Sequence, residues 1–125
     1  MLNRVFLTRE SWIQIDVVGD QTYESVAEMG DKIRRYVTEL RARGLAVLVI
    51  DNISEMGVST PEARREVANL GRNLEFDRCV LVGDGSVFMR YGTNLILRSI
   101  GRSNVRYFSR RDAAVKWLTQ DAPVK

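Results

Sequence analysis

Residues 45–51 read Leu45-Ala46-Val47-Leu48-Val49-Ile50-Asp51, an unbroken apolar run closed by a carboxylate. A strand with one face in water alternates apolar and polar side chains. A run that is apolar at every position needs cover on both faces, the situation of a central parallel strand in an α/β sheet. At six apolar residues the run is also far too short to span a bilayer.

The flanking sequence supplies that cover. Upstream, Tyr23, Val26, Met29, Ile33, Tyr36, Val37 and Leu40 recur at helical spacing, while Glu24, Glu28, Arg35 and Glu39 fall mostly off that stripe. Gly44, following Arg41 and Arg43, is a fitting stop for this helix, because glycine accepts the left-handed conformation and cations suit a helix C-terminus. Downstream, Ala63, Val67, Leu70 and Leu74 mark a second helix, and residues 79–82 a second buried strand closed by Gly83-Asp84-Gly85. A third helix is expected from about Ser86 to Gly101, burying Phe88 and Leu95. Residues 105–108 form a last short strand. Ser109, with Asp112 three residues on, is expected to cap a final helix that buries Ala113, Ala114, Trp117 and Leu118. At the N-terminus, residues 4–8 and the alternating residues 12–18 read as two strands, paired antiparallel across a short link. The order β-β-α-β-α-β-α-β-α predicts one α/β domain over residues 1–125: a mixed, mostly parallel sheet of about five strands with about four helices.

Function classes are narrowed most by what the chain lacks. It has no histidine, which removes the usual general base near neutral pH, the Ser-His and Cys-His nucleophile pairs and the commonest metal ligand. Cys79 is the sole cysteine, so an intrachain disulfide is impossible and a structural zinc site is not expected. No catalytic residue, metal or cofactor is therefore assigned. No signal-peptide pattern opens the chain, and a cytoplasmic protein without a transmembrane segment is expected.

Charge is uneven: residues 1–83 carry 11 basic and 13 acidic side chains, residues 84–125 carry 8 and 3. No basic run exceeds two residues, and Tyr91, Tyr107 and Phe108 are too sparse for a base-stacking platform, so nucleic acid is not an expected partner. Arg90, Arg98, Arg102 and Arg106 are candidates for an anion-binding rim, with surface solvation an equal explanation.

Three places carry residues able to bind something. Residues 52–60 are expected to be a loop leaving the C-terminal end of the central strand, where open α/β sheets place ligands. Asp51, Asn52, Ser59 and Thr60 are its candidate switch or interaction residues. Ser59 with Glu62 fits a capping box beside Pro61, and a phosphate at this helix start would meet free N–H groups. The second place, Gly83-Asp84-Gly85-Ser86 with Arg90, is a candidate anion or ligand contact, although it lacks both the glycine pattern of a dinucleotide fold and the lysine of a nucleotide P-loop. Asp51 and Asp84 form the third, a pair of strand-end carboxylates that could face one another and serve a hydrolase.

The strand-loop-helix over residues 47–68, the stretch Val80-Leu81-Val82-Gly83-Asp84, and the tail Val105-Arg106-Tyr107-Phe108-Ser109 followed by Ala113-Ala114-Val115-Lys116-Trp117-Leu118 resemble the SpoIIAA-like branch of the STAS superfamily. The fold of that branch is similar to that of CRAL-TRIO lipid-carrier domains. The resemblance covers nearly the whole chain and implies a STAS-like protein-interaction module with a regulatory role, for which a homodimer is one expected state. STAS antagonists of anti-sigma factors carry an Asp-Ser-Ser/Thr-Gly type phosphorylation site at the start of the second main helix. The matching stretch here is Val58-Ser59-Thr60-Pro61, which keeps the hydroxyls and lacks the acid before them and the glycine after them. The alternative is a carrier of a small apolar or anionic ligand. It calls for an apolar pocket of several hundred cubic ångströms between helix and sheet, whereas an interaction module calls for a filled core and an exposed apolar patch.

Overall fold

In a computed structural model that describes residues 3–83 and 103–120, the chain opens with β1 (Arg4–Leu7) and β2 (Ile13–Gln21) in an antiparallel hairpin. Ser11 takes the left-handed conformation (φ 68°) in the turn, and its N–H donates to the Thr8 carbonyl at 2.9 Å. There follow α1 (Tyr23–Ala42), β3 (Leu48–Ser59), α2 (Pro61–Asn73), β4 (Arg78–Val82), β5 (Val105–Phe108) and α3 (Arg111–Thr119). The five strands lie in chain order, and every pairing after the first is parallel. This is the mixed sheet the sequence predicts. The helix expected from Ser86 lies outside the described residues.

The local signals mostly act as read. Gly44 (φ 71°) ends α1, its N–H donating to the Arg41 carbonyl at 3.0 Å. Thr22 caps the start of α1 in a reciprocal capping box with Ser25. Two caps differ from expectation. Thr60, not Ser59, is the N-cap of α2, its hydroxyl accepting from the Ala63 N–H at 3.0 Å. The reason is that Ser59 is the last residue of β3 and is buried in the sheet. Arg110 occupies the N-cap of α3 with no side-chain cap. Ser109 is one residue too early, and Asp112 instead accepts from Ala113 and pairs with Arg110 at 2.8 Å. Ala113 is exposed, so the buried stripe of α3 is Ala114 and Leu118, with Trp117 half-buried.

The central strand departs more. β3 begins at Leu48, because Leu45 and Ala46 form an exposed connector, and it runs on to Ser59. Residues 52–59 are therefore strand, not the expected loop. β2 runs on beside them to Gln21 and pairs with them through two register shifts, one beside Gly19 (φ 75°). Asp20 closes this extension by accepting the Val58 N–H at 2.8 Å. Gly57 permits that closure, because a Cβ there would collide with the Asp20 carboxylate and backbone.

The sheet is covered on both faces. Ile13, Ile15 and Val17 of β2, Val49 and Ile53 of β3, and Cys79 and Leu81 of β4 face α1 and α2. Ile50, Val80 and Val82 point the other way, against Ala114 and Leu118 of α3. Two of the alternate β2 residues, Gln14 and Asp16, are buried in a polar chain. Arg111 donates to Gln14 at 3.0 Å, Gln14 donates to Asp16 at 2.8 Å, and Arg4 donates to Asp16 at 2.8 Å. That chain ties the first strand to the last helix.

Candidate ligand cavity and the Asp51 carboxyl

Alternation along β3 assigns each residue to a face. Val49, Asp51 and Ile53 share the α1/α2 side, and Ile50 and Asn52 the other. Asn52 accepts the Ser54 N–H at 3.1 Å and lies 3.4 Å from an Asp16 oxygen as a donor. Asp51 sits mid-strand, in register with Ile15 on β2 and Leu81 on β4, so it is not the strand-end residue the sequence suggests.

Above Asp51 the two helices do not close on the sheet. A cavity of about 860 Å³ lies there, walled among the described residues by Met29, Ile33 and Val37 of α1, Val67 and Leu70 of α2, and Ile15, Val49, Asp51, Cys79, Leu81 and Val105 of the sheet. Arg64, Arg65 and Arg72 of α2 also border it and are exposed, which places them at its mouth. A smaller space of about 70 Å³ adjoins it. The two share Met29, Asp51, Val67 and Leu81 as walls, and Gln21 and Ser59 bring polar groups to the smaller one.

Asp51 is the carboxylate of this region. Its Oδ1 is shielded from solvent and has no hydrogen-bond partner. Burial raises its pKa from 3.8 to about 7, and the negative charge of Asp16 on the neighbouring strand adds to the rise. The residue is thus half or more neutral up to about pH 7 and can donate a hydrogen bond, which an ordinary ionised aspartate cannot.

The four residues expected to share one switch or interaction loop are divided by the sheet. Asp51 faces the cavity, Asn52 the opposite side, Ser59 is buried and Thr60 is occupied as a cap. A phosphate on Ser59 would first require the β2–β3 extension to open. Asp84, Gly85, Ser86 and Arg90 lie outside the described residues, as do Arg98 and Arg102, so the Asp51–Asp84 pair does not enter the geometry. Arg106 has its guanidinium 5.4 Å from the Trp117 ring centre, and Arg78 approaches that ring at 5.3 Å. Among the described residues, no cluster of carboxylates and thiols could hold a metal ion, and no helix is long and apolar enough to cross a membrane. The cavity walls were the residues sequence reasoning missed. Parity held a partial signal, since Asp51 has Val49 and Ile53 as its same-face neighbours.

No family model matches the chain, and no curated protein matches it. Among solved structures, it is similar to an uncharacterised DUF3478-family protein with a SpoIIAA-like fold from Shewanella loihica PV-4. The TM-score is 0.63, over 94% of this chain and 92% of that one, at 18% identity. The fold is SpoIIAA-like. At that identity the likeness concerns architecture alone, and the cavity is argued from this chain's own residues. The SpoIIAA-like fold accounts for the strand order and the helix-covered sheet. It assigns no role to Asp51.

Proposed function

We propose that this chain is a non-catalytic binding module that holds a small molecule with an apolar body between α1, α2 and the sheet. The observation that carries the reading is the cavity: about 860 Å³, walled among the described residues mostly by apolar side chains, with Asp51, Asn69 and the arginines of α2 as its polar groups. Volumes of roughly 300–1,000 Å³ with that lining are typical of small-molecule sites. The lack of histidine in the chain supports binding over catalysis. The test is native mass spectrometry of protein purified from its own host, joined to titration with the fluorescent probe anilinonaphthalene sulfonate. A bound small molecule or saturable probe binding is expected, with both lost in Ala68→Trp, which fills the cavity from α2. Absence of both from the unaltered protein would sink the reading.

A second reading, the regulatory protein-interaction module, draws on one observation. Val58 on β3 is 68% exposed and Tyr23 at the start of α1 is 48% exposed, both at the end of the sheet where Gln21 pairs with Ser59. On that reading Val58→Glu strips a co-purifying protein and leaves probe binding unchanged. Retention of the same protein by the variant counts against it.

A further inference from the structure

We infer that Asp51 is the ligand-recognising group of the cavity, its carboxyl donating a hydrogen bond to an uncharged oxygen, such as a ketone or ester carbonyl, on an otherwise apolar ligand. The inference rests on the ligand-binding reading above and adds the chemistry of the ligand's inner end.

A carboxyl on the buried face of a central strand is a poor choice for stability alone. Its in-register neighbours, Ile15 and Leu81, are hydrocarbon, and its Oδ1 is shielded without a hydrogen bond. Asp51 lines the cavity with a side chain that is only partly covered, while its Oδ1 is sealed inside the protein without a hydrogen bond, so the open part of the side chain is where a partner arriving with the ligand would meet it.

The surrounding charges select the kind of partner. From α1 the wall is Met29, Ile33 and Val37, without charge. From β2 comes the negative charge of Asp16, which disfavours ionisation of Asp51. From β4 comes the Cys79 thiol. From α2 come three arginines, Arg64, Arg65 and Arg72, at the mouth. A cationic ligand would have to pass those arginines. An anionic group is better held by them at the mouth than beside a second acid inside. What remains for the inner end is a neutral acceptor, served by the carboxyl in its protonated form. Since burial holds that form up to about pH 7, the hydrogen bond is present below that pH and lost above it.

The experiment displaces anilinonaphthalene sulfonate with 2-undecanone and with undecane, at pH 6 and at pH 8.5. The unaltered protein is compared with Asp51→Asn, whose amide donates at both pH values, and with Asp51→Leu, which donates at neither. At pH 6 the unaltered protein should prefer the ketone by about five- to tenfold, as one net hydrogen bond provides. That preference should vanish at pH 8.5, persist at both pH values in Asp51→Asn, and be absent from Asp51→Leu. Probe and both displacers binding alike to all three proteins at both pH values would overturn the role of Asp51 while leaving the cavity reading intact. Failure of the probe to bind any of the three would remove the cavity reading itself, and this inference with it.

Discussion

The two faces of the sheet are built from the same strands and packed in opposite ways. Against α3, Ile50, Val80 and Val82 meet Ala114 and Leu118, with Trp12, Leu48, Phe108 and Trp117 filling in around them. Against α1 and α2, a larger set of buried residues surrounds a cavity of about 860 Å³ and a carboxyl with an unpaired oxygen. Polar groups follow the same division. Gln14 and Asp16, on the α3 side, are hydrogen-bonded through Arg4 and Arg111, whereas Asp51 has its Oδ1 unpaired. Protein interiors are close-packed and their buried polar groups paired. One face therefore obeys the rules of stability, and the other departs from them twice at one place. The proposed ligand-binding role accounts for both departures together.

The largest expected effect concerns the pH dependence of the open face. Asp51 is neutral when folded up to about pH 7 and ionises near 3.8 when unfolded. Below that lower value both states hold the proton and no penalty exists. Between the two values only the unfolded state releases it, so stability falls as pH rises, and above about 7 the loss is complete and constant. The full span is on the order of 4 kcal/mol. Urea denaturation of the unaltered protein and of Asp51→Asn from pH 4 to pH 8 should show the gap between them widening across that interval. Parallel profiles would mean the carboxyl is solvated.

Truncation compares the two faces directly. Leu118, 1% exposed in the filled face, should lose about 3 kcal/mol on replacement by alanine. Leu70, which already borders the cavity, should lose about 2 kcal/mol, near the bottom of the range for such changes, because its removal enlarges an existing space. Equal losses in chemical denaturation would erase the contrast.

A smaller effect tests the polar chain of the filled face. Arg111→Ala removes the donor 3.0 Å from Gln14 Oε1 and should cost about 1 kcal/mol, readable as a shift in the urea midpoint. The smallest is expected at Gly30, on the buried side of α1. A Cβ there would stand 2.7 Å from Leu70 Cδ2. In a filled core that contact would be costly. Here Leu70 can swing into the cavity, and alanine is the better helix former, so Gly30→Ala should change stability by less than about 1 kcal/mol in either direction. A loss well beyond that would show that Leu70 has nowhere to go.

Much of the architecture was legible from local pattern. The helical stripe from Val26 to Leu40, the stop at Gly44, the alternation of Ile13, Ile15 and Val17 and the apolar Val80-Leu81-Val82 each map onto the element they suggest. The misread stretch was residues 52–59, where Asn52, Ser54, Gly57 and Ser59 look like loop chemistry. They form strand because β2 continues beside them, and the Asp20 side chain supplies a contact that no window around Gly57 contains. The candidate site suffered from the same error. Asp51 was singled out, but as a strand-end residue opening a loop, because its place inside β3 depends on how far that strand extends.

The sequence by itself determined the class of fold and a residue inventory without histidine and with a single cysteine. Periodicity, helix stops and residue inventory are properties of neighbouring or counted residues, and they act before the chain closes on itself. Which face Asp51 occupies, whether its Oδ1 finds a partner, and whether α1 and α2 close on the sheet above it were decided only by tertiary structure. Those outcomes depend on the packing of residues tens of positions apart, and a void belongs to no residue in the chain.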